Sequence, residues 1–516
     1  MTLGIDELPD DVLLKLLGHC ELDDVLAFCA TCKGLRALLD QPTVWIYALR
    51  RTRQSIPLAC PFHADLSAYS LPELKRIAHQ TLRRMRNWRL PKPKLYGTPR
   101  KARLEAPKQD IIFQVPGTAL YLLHSRTTGI VTCWDAGQEK TVCPSISVAE
   151  VILDVTPGRD EPGCFTMGLL TRQSHFGHDE YLIIVSLHHQ SDGHVSLSVD
   201  FKEAVYPFGW HSFATFWTQE IIGVLVQSGN GNDGLHILVY EIKSKRRKLI
   251  ATDIPGTNAT IHQSGTTTVK DDLFIIEEDG QSNVYRVPGS ILSFNSTDHE
   301  PSVLPAPGHE TSDSTQSTYK IQLLKDRRTF EWDCGEGDPF PLGALSSACH
   351  YGVPALSIQA VVNQIRTRSL RDEESMDEDD EEEDTVSLRE SIYVKFWTVE
   401  VDEGWSEGKV STRPKAQHLK PRHALGIQGE LVVPTDATWQ LLILAHSGRG
   451  AIMLIDVGDK AVLQLATFHE DGCTTHQLEV PDDLDLWCTY GLTIDDHRGV
   501  VAILDNHSCL YELPYA

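Results

Sequence analysis

The sequence predicts a multidomain protein in which a small all-α N-terminal segment and a linker helix precede an all-β body. Apolar residues recur at helical spacing over the first 45 positions, and prolines interrupt the pattern between residues 91 and 107. Beyond Asp110, short apolar strands separated by Gly, Asn, Asp and Ser turns continue to the C-terminus. We therefore divide the chain into residues 1–50, 51–109 and 110–516.

Three short helices are predicted in the N-terminal segment. Pro9 suits the first position of a helix because its missing N–H costs nothing there, and Asp10 and Asp11 in the first turn favour the positive end of the helix dipole. A second helix is predicted to begin near Asp23 and a third near Lys33. Apolar residues then follow at helical spacing, namely Val12, Leu13, Leu16, Leu17, Cys20, Val25, Leu26, Phe28, Cys29, Leu35, Leu38 and Leu39.

This segment has more apolar positions than about 40 residues can bury among themselves. One interpretation is a docking surface for a partner protein. The other is an ordinary helical subdomain that packs on the rest of the chain. Composition alone favours the second.

The order of residues resembles the F-box family. The matching positions are Leu8-Pro9, Asp10 to Leu13, Leu16-Leu17, Asp24-Val25, Cys32-Lys33, Leu35 and Trp45. Thr31 stands where the family usually has Val, and Cys20 where many members have Leu. The resemblance implies docking to the Skp-type adaptor of a cullin-RING ubiquitin ligase. It implies a docking face formed by Leu8, Pro9, Val12, Leu16, Leu17, Cys32 and Lys33.

A linker helix is predicted over residues 71–88, followed by a proline-rich and basic connector. Its apolar face carries Leu74, Ala78, Leu82 and Met85, whereas Lys75, Arg76, Arg83, Arg84 and Arg86 are predicted to point elsewhere. We expect this helix to fix the N-terminal segment against the body. A solvated face is the favoured interpretation of its charges, and contact with an acidic run of the same chain is the alternative.

The body is predicted to be a β-propeller of about seven blades. Matching points of successive hairpins are separated by 65, 41, 45, 112, 58 and 56 residues, and a propeller blade of the WD type takes about 40–45 residues. These points are Trp134, Val199, Tyr240, Tyr285, Trp397, Ile455 and Tyr511. The longest gap has room for a further unit near Tyr319. Residues 133–135 and 454–456 resemble the strand ends of WD repeats. A pair of β-sandwiches is the rival architecture, and residues 111–115 are expected to pair beside the C-terminal strands and close a ring.

Charge is unevenly distributed along the 516 residues. Eleven of the thirteen residues 372–384 are acidic, which leaves −13 of the net charge of −24 to the remaining chain. This run predicts a disordered, solvated insertion near residues 366–390, with a tether for basic partners as the alternative. Between Lys75 and Lys108, twelve Lys or Arg residues face a single Glu. An acidic chain with one basic segment argues against general nucleic-acid binding.

No secretory signal and no apolar run of about 18 residues is visible, so neither export nor membrane insertion is expected. The chain is therefore predicted to be cytoplasmic or nuclear, and its twelve cysteines to be reduced. Cys29 and Cys32 form a Cys-x-x-Cys pair. Two thiols on helical turns is the favoured interpretation of that pair over a zinc site.

Two further motifs are interpreted as structural. Residues 229–234 match G-x-G-x-x-G, but a strand follows where a dinucleotide site needs a helix, so a hairpin turn is predicted. His175, His178 and Asp179, with His188 and His189 nearby, lie among loop residues, and a polar loop is favoured over a metal site. No catalytic constellation, cofactor or metal site is predicted.

The sequence thus predicts a non-catalytic substrate-recognition subunit of a Skp/cullin/F-box ubiquitin ligase. The F-box docks the adaptor, and the β-body binds a target protein. Such a receptor acts by proximity, because the ligase holds a target lysine near a charged ubiquitin carrier. The alternative is an F-box-bearing scaffold, or a β-domain that binds a small molecule, unrelated to ubiquitin transfer. The target, the binding face and the blade number cannot be read from the chain.

Overall fold

The computed structural model describes residues 8–294 except 18, 62–63, 107, 162, 175–178, 190–193, 206–209, 219, 229–233, 255–264, 270 and 279–281. It describes six strands between 319 and 432, and residues 437–516 except 458 and 470–471. His175, His178, residues 229–233 and the acidic run 372–384 therefore lie outside the described residues.

Five helices form the N-terminal part, which we call the head. They are α1 (Asp10–Leu17), α2 (Leu22–Ala30), α3 (Lys33–Ala37), α4 (Pro42–Ser55) and α5 (Leu71–Trp88), with 3₁₀ turns at Leu38–Asp40 and Leu66–Ala68. The three predicted short helices and the linker helix are confirmed, and α4 was not predicted. Capping boxes open α2 at Glu21 and α5 at Ser70, where side chain and backbone satisfy each other's first-turn groups.

The head has one interior, completed by α4 and α5 of the same chain. Trp45 on α4 is buried, and its indole N–H donates to the carbonyl of Leu39 at 2.8 Å. Ile77 and Ala78 on α5 are fully buried in the same cluster as Val25 of α2. The three short helices therefore find most of their missing interior within this chain, which favours the subdomain interpretation for all but a few exposed side chains.

The body is all-β, and its described strands form seven sheets. Sheet 1 has β2 (Gln109–Gln114), β3 (Leu120–Ser125), β4 (Ile130–Asp135) and β5 (Lys140–Thr141), with β6 (Ile146–Ser147) also on β4. Sheet 2 has β7 (Val151–Glu161), β8 (Cys164–Arg172), β9 (Glu180–His189) and β10 (Val195–Ala204). Sheet 3 has β11 (Trp210–Trp217), β12 (Ile221–Ser228), β13 (His236–Glu241) and β14 (Arg247–Ala251), with β18 (Tyr319–Lys320) at its edge. Sheet 4 has β15 (Gly265–Val269), β16 (Asp272–Glu278), β17 (Ser282–Val287) and β19 (Arg327–Phe330), and a short helix α6 (Gly289–Leu292) follows β17.

The last three sheets complete the body. Sheet 5 has β20 (Leu342–His350), β21 (Val353–Thr367), β22 (Leu388–Glu400) and β23 (Gln428–Val432). Sheet 6 has β24 (Ala437–Leu444), β25 (Gly450–Val457), β26 (Lys460–His469) and β27 (Gly472–Gln477). Sheet 7 has β28 (Thr489–Asp495), β29 (Val500–Asp505), β30 (Cys509–Pro514) and, from the other end of the body, β1 (Arg100–Arg103), with a 3₁₀ turn at Leu486–Cys488 before β28.

The sheets are arranged as the blades of a propeller. The first strands of neighbouring sheets contact one another in the pairs β7 and β11, β11 and β15, β15 and β20, β24 and β28, and β28 and β2. Buried apolar clusters lie between sheets 1 and 2, 2 and 3, 3 and 4, 6 and 7, and 7 and 1. Because sheet 7 packs on sheet 1 as well as on sheet 6, the series of sheets closes on itself, which confirms the propeller and leaves few open strand edges.

The ring closes through a strand that the sequence analysis assigned to the connector. Arg100 to Arg103 pair with Glu512 to Cys509 in an antiparallel register, whereas Ile111 pairs with Leu123 within sheet 1. The closure expected of residues 111–115 was therefore wrong, because that segment begins its own sheet. The division at residue 109 stays a prediction, and β1 precedes it.

The predicted hairpins are present, although two were given the wrong place in their sheets. The seven matching points fall in seven different sheets, five of them on the third strand, but Val199 lies on the fourth strand of sheet 2 and Ile455 on the second strand of sheet 6. Tyr319 adds to the edge of sheet 3 beside β14 and forms no further unit among the described strands. The acidic run falls in sequence between β21 and β22, which pair from Thr367 and Leu388 onward.

The two ends of the ring carry different parts of the chain. At one end, the backbone N–H of Gly117 donates to both carboxylate oxygens of Asp495 at 3.1 Å, which joins the β2–β3 turn to the β28–β29 turn. At the other end, the Arg126 guanidinium of the β3–β4 turn lies 5.4 Å from the Tyr490 ring at the start of β28. The head packs on the first of these ends, which we call the head end, and the opposite one is the far end.

Candidate functional site

Helix α1 presents apolar side chains on two adjacent faces. Leu13 and Leu17 are 3% and 1% exposed and belong to the head interior, whereas Val12 and Leu16 are 39% and 41% exposed. Each pair is spaced by four residues, so each forms a continuous stripe along the helix. A helix that needed only to pack on the head would keep the outer stripe polar. Val12 and Leu16 therefore form an apolar surface that the described residues leave exposed.

The structure places the seven sequence-predicted docking residues at three depths. Pro9, Val12, Leu16 and Lys33 are exposed, and Leu8 and Cys32 are half-buried. Leu17 is buried in the head interior. The first four are available for direct contact, whereas Leu17 packs α1, which carries Val12 and Leu16, onto the head.

Cys32 and Pro9 have local roles that fix the two ends of this face. Cys32 is the N-cap residue of α3, and its sulfur accepts a hydrogen bond from the backbone N–H of Leu35 at 3.5 Å. The carbonyl of Pro9 accepts from the N–H groups of Val12 and Leu13 at 3.0 and 3.1 Å, so it closes the first turn of α1. Lys33, the first residue of α3, is presented to solvent beside this cap.

Tyr47 is an exposed aromatic residue of the head that the sequence analysis missed. It lies on α4, which packs against α1, and is 48% exposed. Val44, Trp45, Ala48 and Leu49 on the same helix are buried. The helical spacing of those four residues places Tyr47 on the opposite side, so the signal was present once α4 was recognised as a helix.

The head is fixed to the body through Arg84 of α5. Arg84 is 1% exposed and donates to the carbonyls of Asp496, His497 (2.7 Å) and Pro57. Burial lowers the pKa of its guanidinium to about 10, and the nearby Asp496 and Asp495 oppose that shift. The prediction that Arg84 points away from the apolar face into solvent was wrong. The expectation that the helix holds the head against the body is confirmed.

Further contacts close the same junction. The Asn87 amide donates to the carbonyl of Tyr515 at 2.7 Å, and His497 Nδ1 lies 3.0 Å from the carbonyl of Leu58. Gly117 has a φ of +75°, and a Cβ there would lie 2.5 Å from the carbonyl oxygen of Cys60, so the β2–β3 turn approaches the head too closely for another residue. Two other basic residues of α5 pair with the rest of the head, Lys75 with Asp40 at 3.1 Å and Arg86 with Asp23 at 2.6 Å.

Among the described residues, no group of three or more His, Cys, Asp or Glu suits a metal ion, and the ten cysteines whose side chains are described are free. Within the same residues, no helix combines the length and the apolar character needed to cross a bilayer. Trp217 is buried and Trp210 half-buried against His236, which agrees with core packing for both.

The comparison with protein families decides the identity of the head. Residues 5–47 match the F-box domain. The chain carries an F-box. In this F-box, α1 presents the exposed stripe of Val12 and Leu16, and α4 and α5 complete the interior.

Solved structures similar to the chain include WD40 and other β-propeller proteins. The WD40 domain of SCAP from fission yeast is 10% identical, with a TM-score of 0.37 over 81% of this chain and 98% of that one. The Cps50 (Swd1) β-propeller domain of Myceliophteria thermophila is 8% identical, with a TM-score of 0.37 over 81% and 99%. TolB from Acinetobacter baumannii is 11% identical, with a TM-score of 0.30 over 70% and 66%. A search of curated protein sequences found no match.

Proposed function

We propose that this protein is a target-recognition subunit of a Skp/cullin/F-box ubiquitin ligase, in which the F-box docks the Skp-type adaptor and the β-body binds a target protein. F-box proteins are generally non-catalytic, and the proposed role needs no covalent step by this chain. It brings a target lysine close to a charged ubiquitin carrier. The ligase works in the cytoplasm or the nucleus, where we place the chain.

The observation that carries the proposal is the uncovered stripe of α1. Val12 and Leu16 are large apolar side chains exposed on a helix whose adjacent face, Leu13 and Leu17, is buried in the head. Exposed apolar stripes rimmed by polar residues mark protein-interaction sites. Here Asp11 and Lys15 flank the stripe on the same helix, and both are exposed. An adaptor groove lined by apolar residues would cover this stripe.

The rigid junction at Arg84 adds support, because proximity catalysis needs a fixed distance between adaptor and target. A receptor whose head swung freely would hold a target lysine within reach of the carrier for only a fraction of the time. The buried contacts of Arg84, Asn87 and His497 instead fix the head at one end of the ring. The described residues of the head leave the far end free for a target.

The decisive experiment combines Val12→Asp with Leu16→Asp. Two carboxylates on an apolar contact should weaken adaptor binding at least 100-fold, or ~3 kcal/mol, in a titration with purified adaptor. Because both side chains are exposed, the thermal melt should match that of the wild type. Leu17 is unsuited to this test, since a carboxylate in the head interior would unfold the F-box.

The matched control is Leu153→Asp with Val199→Asp. These body residues are 36% and 40% exposed and apolar, so the control adds the same charge to equally exposed positions outside the head. It should bind adaptor as the wild type does. Undiminished adaptor binding by the α1 variant would refute the docking role.

A further inference from the structure

An exposed aromatic surface, separate from the α1 stripe, lies at the far end of the ring beside the central strands. Trp487 is 52% exposed and Tyr490 is 40% exposed, on the 3₁₀ turn before β28 and at the start of that strand. β28 runs from Thr489 to Asp495, roughly 20 Å at the usual rise per residue, and Asp495 lies at the head end. An adaptor on α1 and a ligand on Trp487 would therefore occupy opposite ends of the body.

Trp487 is held rigidly although its ring is in solvent. The carboxylate of Asp485 accepts from the backbone N–H of Trp487 at 3.0 Å and caps the turn. The N–H of Asn506 in the β29–β30 turn donates to the carbonyl of Cys488 at 2.9 Å. Leu486, between these two anchors, is buried. A fixed, exposed tryptophan loses little entropy on binding and is typical of the residues that contribute most to interfaces.

The surroundings of Trp487 select a cationic ligand. Asp482, Asp483 and Asp485 precede it within five residues and are all exposed, so three carboxylates lie close to the tryptophan in sequence. Two basic residues at this end have partners within the chain. Lys101 lies 4.8 Å from the Tyr511 ring, and Arg126 pairs with Asp110 at 2.5 Å.

The neighbouring Tyr490 shows the same chemistry already satisfied within the chain. The Arg126 guanidinium lies over its ring while the Asp110 carboxylate binds that guanidinium through two hydrogen bonds. Trp487 has the ring and the carboxylates, and no cation–ring pair among the described residues uses it. Tryptophan is the strongest of the aromatic partners for a cation.

We propose that Trp487, with Asp482, Asp483 and Asp485, is a docking site for an arginine- or lysine-bearing segment of a partner protein, whose cation lies on the indole ring. The proposal rests on the proposed function, because it gives the chemistry of the target that the ligase would receive. The site lies at the end of the ring that the head leaves free, next to Tyr490.

The test uses the full chain bound to its adaptor and two fluorescein-labelled twelve-residue peptides. One is Gly-Arg-Gly-Ser repeated three times, and the other has Gln in place of each Arg. The arginine peptide should bind in a polarisation titration, more weakly as salt is raised, and the glutamine peptide should not. Trp487→Ala should weaken the binding at least tenfold. Asp482→Asn with Asp483→Asn should weaken it and flatten the salt dependence.

The matched control is Tyr96→Ala. It removes another exposed aromatic ring, which lies on the connector, is 49% exposed and is contacted by Arg83 of α5. It should leave peptide binding unchanged. Equal binding by the wild type and Trp487→Ala, or no binding of the arginine peptide, would overturn the proposal. A dimer of the chain that Trp487→Ala abolishes would also overturn it, since a second copy would then be the occupant. Adaptor binding is measured in parallel. If the adaptor does not bind but the arginine peptide does, the proposed function fails and the peptide site stands.

Discussion

His497 is an imidazole enclosed between the head and the body. It is 2% exposed, and burial, together with the nearby Arg84, lowers its pKa to about 3. Asp495, two residues earlier, is also buried, and loss of solvent raises its pKa to about 6 despite the opposing Arg498. Burial also raises the pKa of Asp496, and Ser447 and Arg84 oppose that rise. The junction therefore buries groups whose pKa values differ from those of the unfolded chain.

These groups make stability depend on pH in opposite directions. Below its unfolded pKa of about 6.5, His497 takes up a proton only on unfolding, so its contribution to stability is lost as the pH falls toward 3. The pKa of Asp495 is raised on folding, so its contribution is present below about 4 and is lost as the pH rises through 6. Between pH 4 and 6 the two contributions partly cancel.

Substitution of His497 by Gln should expose the carboxylate contribution. Between pH 4 and 6, the slope of the free energy of unfolding against pH should be more negative for His497→Gln than for the wild type. The difference should be up to about 1.4 kcal/mol per pH unit. The measurement is urea unfolding at a series of pH values. Exposed His79 on α5 supplies the control, His79→Gln, which should follow the wild type. Parallel pH curves for wild type and His497→Gln would show that His497 is protonated alike in both states.

At the residue scale, the sequence indicates which residues are apolar but not which of them are buried. Leu13 and Leu17 repeat the four-residue spacing of Val12 and Leu16, and only the packing of α4 decides which pair is buried. Arg84 looked like one of five basic residues on a solvated helix. Its acceptors, the carbonyls of Asp496 and His497, lie more than 400 residues away in sequence, so no local pattern indicates them.

At the scale of elements, strand β1 has only four residues, but it joins the start of the body to the last sheet. The N–H of Leu104 donates to the carbonyl of Ser508 at 2.9 Å. Since alternate residues of a strand point their N–H groups to the same side, the N–H of Ala102 also faces β30, opposite Leu510, and that of Lys101 faces away.

Proline at these two neighbouring positions should therefore have unequal effects. Ala102→Pro removes a donor to β30 and should lower the melting temperature of the body by several degrees, since about 1–3 kcal/mol is lost with an unsatisfied buried carbonyl. Lys101→Pro removes an N–H that faces away from β30 and should be better tolerated. Differential scanning calorimetry of both variants measures the difference. Equal losses would mean that β1 does not close the ring.

Hairpins were predictable because each depends on local alternation and turn residues, as in Leu120 to Asp135. The place of a hairpin within its sheet was not, since the second–third and third–fourth pairs of a blade have the same local pattern. The strand that closes the ring was hidden for a different reason. Residues 100–103 are three basic residues and an alanine, so β1 has no apolar pattern and is defined by its partner.

Across the whole molecule, the buried junction separates two surfaces with different chemistry. The exposed stripe of α1 is apolar, whereas the Trp487 surface at the far end is aromatic and acidic. The sequence predicted the two parts and the helix between them. It did not predict that residues 93–96 bond to the body, where Leu95 donates to the Glu479 carboxylate at 3.0 Å and Tyr96 to the carbonyl of Pro514 at 2.7 Å. The connector is thus part of the body surface.

If Arg84 is the central contact of this junction, the head and the body should unfold together in the wild type and separately without it. Arg84→Met keeps the length and apolar stem but leaves three buried carbonyls without their donor, at a cost of about 3 kcal/mol. Calorimetry should then resolve two transitions, and limited proteolysis should cut between residues 89 and 99. Arg83→Met is the control, because Arg83 is exposed and contacts only the Tyr96 ring among the contacts described above. A single transition at the wild-type temperature for Arg84→Met would mean that apolar packing at the junction, rather than the buried guanidinium, holds the head in place.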